Sequence, residues 1–448
     1  PARVNAFLHS LEYLKTTGLS GDLLPSASRP AMHANTLTTH LNTFLAVMRR
    51  YTAGPAAVPY LNILFAPFIT GMNRKAIEQE VQNLIFITSQ NAFSRGGMAL
   101  PMDFNLFTYV PECISGNPAV GPGGSSTGKE YCEYTEEALA FADTVCRLLL
   151  KGDGKNESFD FPRIILHYHR ESFRDKRQVE VLRAAASLAA RSRAVYFTED
   201  TSDEMYMSSK SHLALTSSGE NIFTRRAALQ SVTVNLPRTA AQSVPGTLSN
   251  FLKTLEQDID LAVDAHVQKR TFLRRLLSTP ASILENIGKV TADGSPYLDI
   301  NTAICNIGVC GLDECIRIMS GSSMDEDEDS FALAEKILSA FAEILRDRCS
   351  RISLVPEEFP YEIAAARLAR LDIQNNRKIR SLFAETSVEN AYTNGFFVRA
   401  HSNLEYRKVV DMNRRLWTKA GSSPFVYNFP GTGLNQDEIL NIVLQSKA

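Results

Sequence analysis

The chain has 448 residues, 44% of them hydrophobic and 21% charged, which is typical of a globular protein and excludes a disordered or fibrous one. Its 47 basic and 49 acidic residues leave a formal net charge of −2, which favours binding neither to nucleic acid nor to an anionic membrane. The sequence has no run of about 18 apolar residues and no signal peptide at its start, so we expect no membrane contact and a cytoplasmic location.

Helical and extended segments alternate along the chain. Helices are predicted from apolar periodicity over residues 31–50, 135–151, 179–192, 248–278 and 331–349, and strands at 97–110, 163–169, 194–200 and 231–236. This alternation predicts an α/β fold with much parallel sheet, because crossover helices connect parallel strands. No segment resembles a flexible linker, so a single large domain over residues 1–448 is predicted.

The cysteines predict no disulfide framework and no metal site. Their number is odd, and they are scattered at positions 113, 132, 146, 305, 310, 315 and 349. Cys305, Cys310 and Cys315 are regularly spaced, but the segment has no CxxC pair and no nearby histidine. Buried structural thiols are therefore favoured over metal ligands.

Two short motifs resemble ligand sites but are better explained as ordinary structure. Residues 123–130, GGSSTGKE, nearly match a phosphate-binding loop, yet Glu130 stands where serine or threonine must hold magnesium. His167 and His169 have the spacing of two side chains on one face of a strand, but no third metal ligand accompanies them. A surface turn and two hydrogen-bonded histidines are expected.

Six segments in a fixed order resemble those of one protein family. Residues 231–238, SVTVNLPR, end in Asn-Leu-Pro-Arg, and the others are residues 28–33, 84–107, 148–162, 304–314 and 391–397. In these segments and their order the chain resembles the anaerobic, class III glycyl-radical ribonucleoside-triphosphate reductases, from about Phe7 to Tyr427. The common order of the segments argues against a chance match.

The resemblance implies a ten-stranded α/β barrel of two five-stranded parallel halves with a central finger loop. It implies reduction of ribonucleoside triphosphates by a finger-loop thiyl radical, with nucleotide effectors, a radical-SAM activase and a homodimer. Asn235 matches the asparagine that orients the ribose, although its amide could instead satisfy a buried strand end. The substrate cleft would be lined by Gly96, Gly97, Met98, Pro237, Pro356, Glu357, Tyr392 and Asn394.

The sequence departs from the family where the chemistry needs sulfur. Ser208 and Ser209 stand at the finger-loop cysteine positions, with Lys210 at the arginine. A serine O–H bond is too strong for a glycyl radical to break, so we expect the reaction to be impaired at Ser209. Ala6 stands at a second cysteine position.

Further departures lie in the second half of the chain. Glu357 and Pro360 alter the helix start at which substrate phosphates would bind, and added negative charge is unfavourable there. No cofactor is expected within this chain, because the family's structural zinc and glycyl radical belong to a C-terminal region absent from it. We therefore expect a divergent or truncated member.

Three functions stay open from the sequence. The first is an impaired reductase, and the second is a catalytically silent homologue that binds nucleotides or a partner protein. The third is an unrelated barrel enzyme with its own carboxylate or histidine chemistry.

Overall fold

The computed structural model describes residues 3–19, 26–90, 99–192, 194–201, 204–209, 211, 213–215, 225–243, 247–282, 284–291, 294–350, 352–357, 362–383, 391–399, 402, 404–421 and 433–445. The strands are β1 (Ala6–Leu8), β2 (Ala56–Val58), β3 (Met102–Phe107), β4 (Pro118–Val120), β5 (Ser126–Glu130), β6 (Arg163–Tyr168), β7 (Val195–Glu199), β8 (Met205–Tyr206), β9 (Ala214–Leu215), β10 (Ala227–Asn235), β11 (Ile304–Cys310) and β12 (Leu354–Glu357). The first helices are α1 (Leu11–Thr17), α2 (Ala34–Met48), α3 (Leu61–Ile69), α4 (Arg74–Ser89), α5 (Glu112–Ser115), α6 (Thr135–Lys151), α7 (Lys176–Ala189) and α8 (Leu236–Gln242). The remaining helices are α9 (Leu248–Ser278), α10 (Glu285–Gly288), α11 (Leu312–Ser320), α12 (Glu328–Arg348), α13 (Glu362–Asn375), α14 (Arg377–Phe383), α15 (Tyr406–Ala420) and α16 (Gln436–Gln445).

Eight of the strands form one mixed sheet, in the order β12-β11-β10-β1-β2-β3-β6-β7. Strands β1, β2, β3, β6 and β7 run parallel to one another, and so do β10, β11 and β12. The two groups meet antiparallel at β1 and β10. The predicted α/β class with mostly parallel sheet is confirmed. The ten strands of the predicted barrel are not, because the described residues place eight strands in this sheet.

Local sequence explains where the elements begin and end. Helix α6 starts with Glu136 and Glu137, whose charges suit a helix N-terminus, and it ends at Gly152, which has a φ of 82°. All nine residues of α3 are buried, so this helix lies inside the core between the sheet and other helices. The helix and strand predicted over 135–151 and 163–169 are thus confirmed.

The topology brings two sets of strand ends to one edge of the sheet. Because β10 runs antiparallel to β1, the C-terminal end of β10 lies at the same edge as the N-terminal ends of β3 and β6. One face of the parallel group β10, β11 and β12 packs on α9, since Arg270 of that helix donates to the sulfur of Cys305 at 3.8 Å. The opposite face of the sheet carries polar side chains. The β8–β9 hairpin is hydrogen-bonded there to Asn5, which precedes β1, and to Asp103 of β3.

The two apparent ligand motifs are ordinary structure. Residues of the glycine-lysine segment form β5, which is exposed along its length and pairs with β4, and the Glu130 carboxylate bonds the short 3-10 helix over Tyr131–Tyr134. His167 and His169 both have hydrogen-bond partners. All seven cysteines are free thiols, and Cys305, Cys310 and Cys315 are buried, as predicted.

No helix in the described part of the chain is both long enough and apolar enough to span a bilayer.

Candidate active site

The tip of the β8–β9 hairpin is held by a buried carboxylate of β3. Asp103 accepts the backbone N–H of Ser209 at 2.8 Å, the hydroxyl of Ser209 at 2.8 Å and the hydroxyl of Ser208 at 3.2 Å. Arg163, the first residue of β6, donates to the Ser209 oxygen at 3.3 Å. The proton of the Ser209 hydroxyl and one of its two lone pairs therefore have fixed partners.

Burial and the neighbouring groups have opposite effects on the pKa of the carboxyl group at the hairpin tip. Asp103 is 0% exposed, and burial raises the pKa of its carboxyl group. The bonds from Ser209 and Ser208 and the positive charge of Arg163 act in the opposite direction without reversing the shift. The serines at 208 and 209 thus supply donors that a buried carboxylate needs.

A second buried network supports the same hairpin. The Asn105 amide, two residues along β3, donates to the carbonyls of Met207 at 3.1 Å and Val58 at 3.3 Å. Its oxygen lies 2.9 Å from Nε2 of His167, so this ring nitrogen carries a proton. The other ring nitrogen of His167 lies 2.8 Å from a carboxylate oxygen of Asp200.

His167 and Asp200 form a buried hydrogen-bonded pair beneath the hairpin. Both side chains are 0% exposed, and the Tyr109 hydroxyl donates to Asp200 at 2.6 Å. Phe107 stacks on the imidazole of His167 with ring centroids 4.0 Å apart. Loss of the Asp200 carboxyl group would leave the His167 nitrogen and the Tyr109 hydroxyl buried without a partner, which is a costly state.

A third cluster lies at the C-terminal end of β10. Asn235 caps helix α8, since its oxygen accepts the N–H of Arg238 at 3.1 Å and its amide donates to Asp372 at 2.6 Å. Asp372 also accepts two bonds from Arg238, at 2.6 and 2.8 Å, and one from the Tyr392 hydroxyl at 2.8 Å. The Asn235 amide is thus bonded at both of its atoms, as in the alternative interpretation of that residue.

Cys310 is the register partner of Asn235 on the neighbouring strand. It packs with Ala365 and Ala369 of α13 and with Tyr392, in a cluster separate from the main core. Burial raises the pKa of the Cys310 thiol, and Glu314 and Asp372 raise it further, so the sulfur stays protonated at neutral pH.

Glu314 lies at the start of α11, next to this cluster. It accepts the backbone N–H of Thr393 at 3.0 Å and the Thr393 hydroxyl at 3.0 Å. Burial raises the pKa of the Glu314 carboxyl to about 7, and the neighbouring Asp313 contributes in the same direction. Glu314 therefore changes charge near neutral pH.

A polar chain crosses the sheet between the hairpin and β12. Asn5 donates to Ser211 of the hairpin at 2.8 Å and to Ser231 of β10 at 3.0 Å, and Ser231 donates to Glu357 of β12 at 2.6 Å. Asn5, Ser211 and Glu357 are all buried. These bonds connect the hairpin to the three-stranded group of the sheet.

Comparison with known families decides what kind of protein this is. The family described as anaerobic ribonucleoside-triphosphate reductase matches residues 2–443. This chain belongs to the anaerobic ribonucleoside-triphosphate reductase family. The family predicted from the six collinear segments is thus confirmed. No curated protein matches the chain.

Solved structures of anaerobic ribonucleotide reductases share its fold. The enzyme from Thermotoga maritima in complex with dATP and CTP is 18% identical, with a TM-score of 0.76 over 99% of this chain and 73% of that chain. The same enzyme with dATP bound in the specificity site is 19% identical, with a TM-score of 0.76 over 99% of this chain and 73% of that chain. A further anaerobic ribonucleotide reductase is 19% identical, with a TM-score of 0.76 over 99% of this chain and 68% of its own.

The structure brings some of the family residues together and separates others. Asn235, Pro237, Tyr392 and Asn394 lie at one strand end, where Asn394 forms a bridge with Cys310 and Pro237 packs against Gly311. Gly311 has a φ of 74°, and an added Cβ would lie 2.4 Å from the Pro237 ring. Ligand binding by these residues stays a prediction.

Other residues of the reductase cleft lie elsewhere or outside the description. Glu357 joins the polar chain below the hairpin, whereas Pro356, one residue earlier in β12, has its side chain on the opposite face. Ser209 lies at the hairpin tip. Gly96, Gly97, Met98 and Lys210 lie outside the described residues.

Sequence reasoning missed the residues of the reductase fold that hold the hairpin. Asp103, Asn105, His167 and Asp200 were not assigned a role, apart from the expectation of a hydrogen-bonded His167. One feature could have found two of them. In MDFNLF the polar residues Asp103 and Asn105 alternate with apolar ones, so both must face the same side of a buried strand.

Within the described residues no group of three or more histidine, cysteine or acidic side chains is arranged to hold a metal ion.

Titration of Glu314 is expected to make the stability of this reductase-family chain depend on pH. A folded-state pKa of about 7, against an ordinary value of 4.5, means that its contribution to stability is present below about pH 4.5 and is lost as the pH rises to 7. The loss amounts to about 3 kcal/mol. Chemical denaturation of Glu314→Gln should show no such loss between pH 5 and pH 8.

The control for Glu314 is Glu328→Gln, since the Glu328 side chain is 79% exposed in a loose pair with Arg415. It should follow the pH dependence of the unmodified chain. Equal pH dependence of Glu314→Gln and the unmodified chain would show that Glu314 ionises normally.

Proposed function

We propose that this chain binds a ribonucleoside triphosphate against the polar face of its sheet, and that residue 209 does not transfer hydrogen atoms. In this proposal the β8–β9 hairpin is the family's finger loop, and the five-stranded and three-stranded parallel groups belong to its barrel. The observation that carries the proposal is the attachment of Ser208 and Ser209 to Asp103 at the hairpin tip.

The chemistry of the hydroxyl group supports the second half of the proposal. Radical transfer in the family requires an S–H bond, which is weak enough to exchange a hydrogen atom with both a glycyl carbon and a ribose carbon. The Ser209 O–H bond is too strong for this step, and its proton is directed at Asp103. Ser209 at the hairpin tip is therefore suited to fixing the hairpin rather than to radical transfer.

The relatives support the first half of the proposal. The Thermotoga maritima reductase is described in complex with dATP and CTP, so nucleotides bind to a protein of this fold. The polar chain of Asn5, Ser211, Ser231 and Glu357 places hydrogen-bonding groups on one face of the sheet of this chain. Nucleotide effectors, a homodimer and a radical-SAM activase accompany the proposal as partners expected of the family.

Isothermal titration calorimetry with the four ribonucleoside triphosphates tests the binding. We expect saturable binding of at least one of them, and absence of binding for all four would refute the proposal. In an anaerobic assay with activase and reductant, on a form of the protein that also carries the family's glycyl-radical region, we expect no deoxyribonucleotide product. Product formation that survives Ser209→Ala but is lost in Cys310→Ser would favour a second candidate function.

That second candidate is ribonucleotide reduction through Cys310. It is favoured by one observation, the position of this protonated thiol in register with Asn235. Its complete burial under α13 and Tyr392 makes it the weaker of the two.

A further inference from the structure

Residues 391–399 form a strap across the C-terminal end of β11. The Thr393 carbonyl accepts a backbone N–H from the turn that follows β11 at 2.7 Å, and Asn394 forms an antiparallel bridge with Cys310. Tyr392 packs with Cys310 in the small cluster beside α13. Cys310 is 0% exposed, so the strap is part of what covers its thiol.

One attachment of the strap is a buried carboxyl group. Glu314, at the start of α11, is 8% exposed. Its Oε1 accepts both the backbone N–H and the hydroxyl of Thr393 at 3.0 Å, and its Oε2 lies 3.1 Å from the same N–H. Both partners are neutral, and Glu314 has no ion pair within the described part of the chain. A buried carboxylate without a cation is unstable, because neutral donors replace its hydration only in part.

Neighbouring cations do not neutralise Glu314, because other carboxylates bind them. On α11 the adjacent Asp313 is also buried and is paired with Arg399 at 3.6 Å. On α13 Asp372 is paired with Arg238 of α8 at 2.6 Å. Glu314 therefore lies among negative charges whose cations are already engaged.

The other titratable groups around the strap are uncharged, exposed or paired elsewhere. Cys310 and Tyr392 have raised pKa values, so they carry no charge at neutral pH. Arg317, one turn further along α11, makes no ion pair with Glu314. On the helices packed against α11, the exposed groups are Arg377, Lys378 and Arg380 of α14, and the groups paired with Arg415 are Glu328 and Glu335 of α12.

Opening of the strap would expose the Glu314 carboxyl group to water and return its pKa to the ordinary value of 4.5. In the closed strap burial raises this pKa to about 7, and Asp313 contributes in the same direction. The proton on Glu314 therefore stabilises the closed strap fully below about pH 4.5, and this stabilisation is lost as the pH rises to 7.

We propose that residues 391–399 are a proton-controlled strap over Cys310, which is closed while Glu314 is uncharged and opens locally when Glu314 ionises, without unfolding of the chain. Opening separates Tyr392 from Cys310 and gives reagents in solution access to the thiol. The inference goes beyond the proposed function, because the strap responds to pH in the absence of nucleotide.

Hydrogen–deuterium exchange of the unmodified chain, followed by mass spectrometry, tests the opening. After correction for the intrinsic pH dependence of amide exchange, protection of the amides at 392–398 should fall roughly 50-fold between pH 5 and pH 8. At pH 8 these amides should exchange at least about 100-fold faster than those of β6, which exchange only when the core unfolds. Constant protection of the strap across this pH range, or protection equal to that of β6, would overturn the inference.

The variant Glu314→Gln shows whether this carboxyl group is the one that controls the strap. The Thr393 N–H and hydroxyl both donate to Oε1, so glutamine keeps an acceptor for both but cannot ionise. Its corrected strap exchange should be independent of pH, whereas the exposed control Glu328→Gln should behave as the unmodified chain does. A fall in protection that persists in Glu314→Gln would contradict the proposal.

Alkylation with iodoacetamide at pH 8 measures access to the thiol. The rate for Cys310, relative to that for Cys305 in the same chain, should be at least about 10-fold higher in the unmodified chain than in Glu314→Gln. Loss of the Glu314 charge alone would ease ionisation of the Cys310 thiol, so a strap that stays closed predicts the opposite order. An equal or higher relative rate in Glu314→Gln would refute the strap and leave the proposed function untouched.

Discussion

Replacement of Asp200 with alanine is expected to lower the free energy of unfolding by about 3–5 kcal/mol, because two buried groups lose their hydrogen-bond partner. The change leaves Nδ1 of His167 and the Tyr109 hydroxyl buried without the carboxyl group. His167 also bonds to Asn105, so its displacement would move Asn105. This would weaken the bond from Asn105 to the Met207 carbonyl of the hairpin. Urea denaturation followed by circular dichroism measures the loss.

An exposed ion pair provides the control for Asp200. Asp143 pairs with Arg147 one helical turn away, with side chains 23% and 49% exposed. Asp143→Ala should cost only about 0.5 kcal/mol, because solvent screens such pairs. Asp200→Asn keeps the shape and should fall between the two. A loss for Asp200→Ala no greater than that for Asp143→Ala would contradict a stabilising role of the buried Asp200 hydrogen bonds.

The second large effect is on the turnover of variants at Ser209, in the hairpin tip. Ser209→Cys alone is expected to give no reductase turnover in the anaerobic assay, because a thiol at this position would direct its hydrogen at Asp103 rather than at a substrate. Misorientation of a reacting group costs about 100-fold or more in rate. The double variant Ser209→Cys with Asp103→Ser removes the carboxylate, and it should exceed the single variant in turnover.

Stability measurements accompany this comparison. Asp103→Ala removes the acceptor of three hydrogen bonds and should lower the free energy of unfolding by about 3 kcal/mol, at about 1 kcal/mol for each bond. Ser209→Ala removes one of these bonds and should cost about 1–2 kcal/mol. Full turnover by Ser209→Cys with Asp103 intact would show that Asp103 does not control the orientation of the side chain at position 209.

Much of the fold could be predicted from local pattern. Helix α6 and strand β6 match the predicted ranges closely, because acidic residues, glycine and apolar periodicity mark their ends. The family followed from segment order, and Ser209 was correctly expected in a loop before the Asn-Leu-Pro-Arg strand. These features depend on residues that are near each other in the chain.

The site networks could not be predicted in this way because they join distant parts of the chain. Asp103 meets Ser209 across 106 positions, and Asn235 meets Asp372 across 137. Which residues meet depends on strand order and register, and above all on the antiparallel contact between β1 and β10. The ten-stranded barrel was taken from the family, so it carried no information about which strands this chain forms.

A crystal structure of the chain with a bound ribonucleoside triphosphate tests the central claim most directly. The account predicts electron density for the nucleotide on the sheet face that carries Asn5, Ser231 and Glu357, with the Ser209 hydroxyl still bonded to Asp103. Nucleotide density away from that face, or a Ser209 side chain detached from Asp103 and turned toward the ribose, would contradict it.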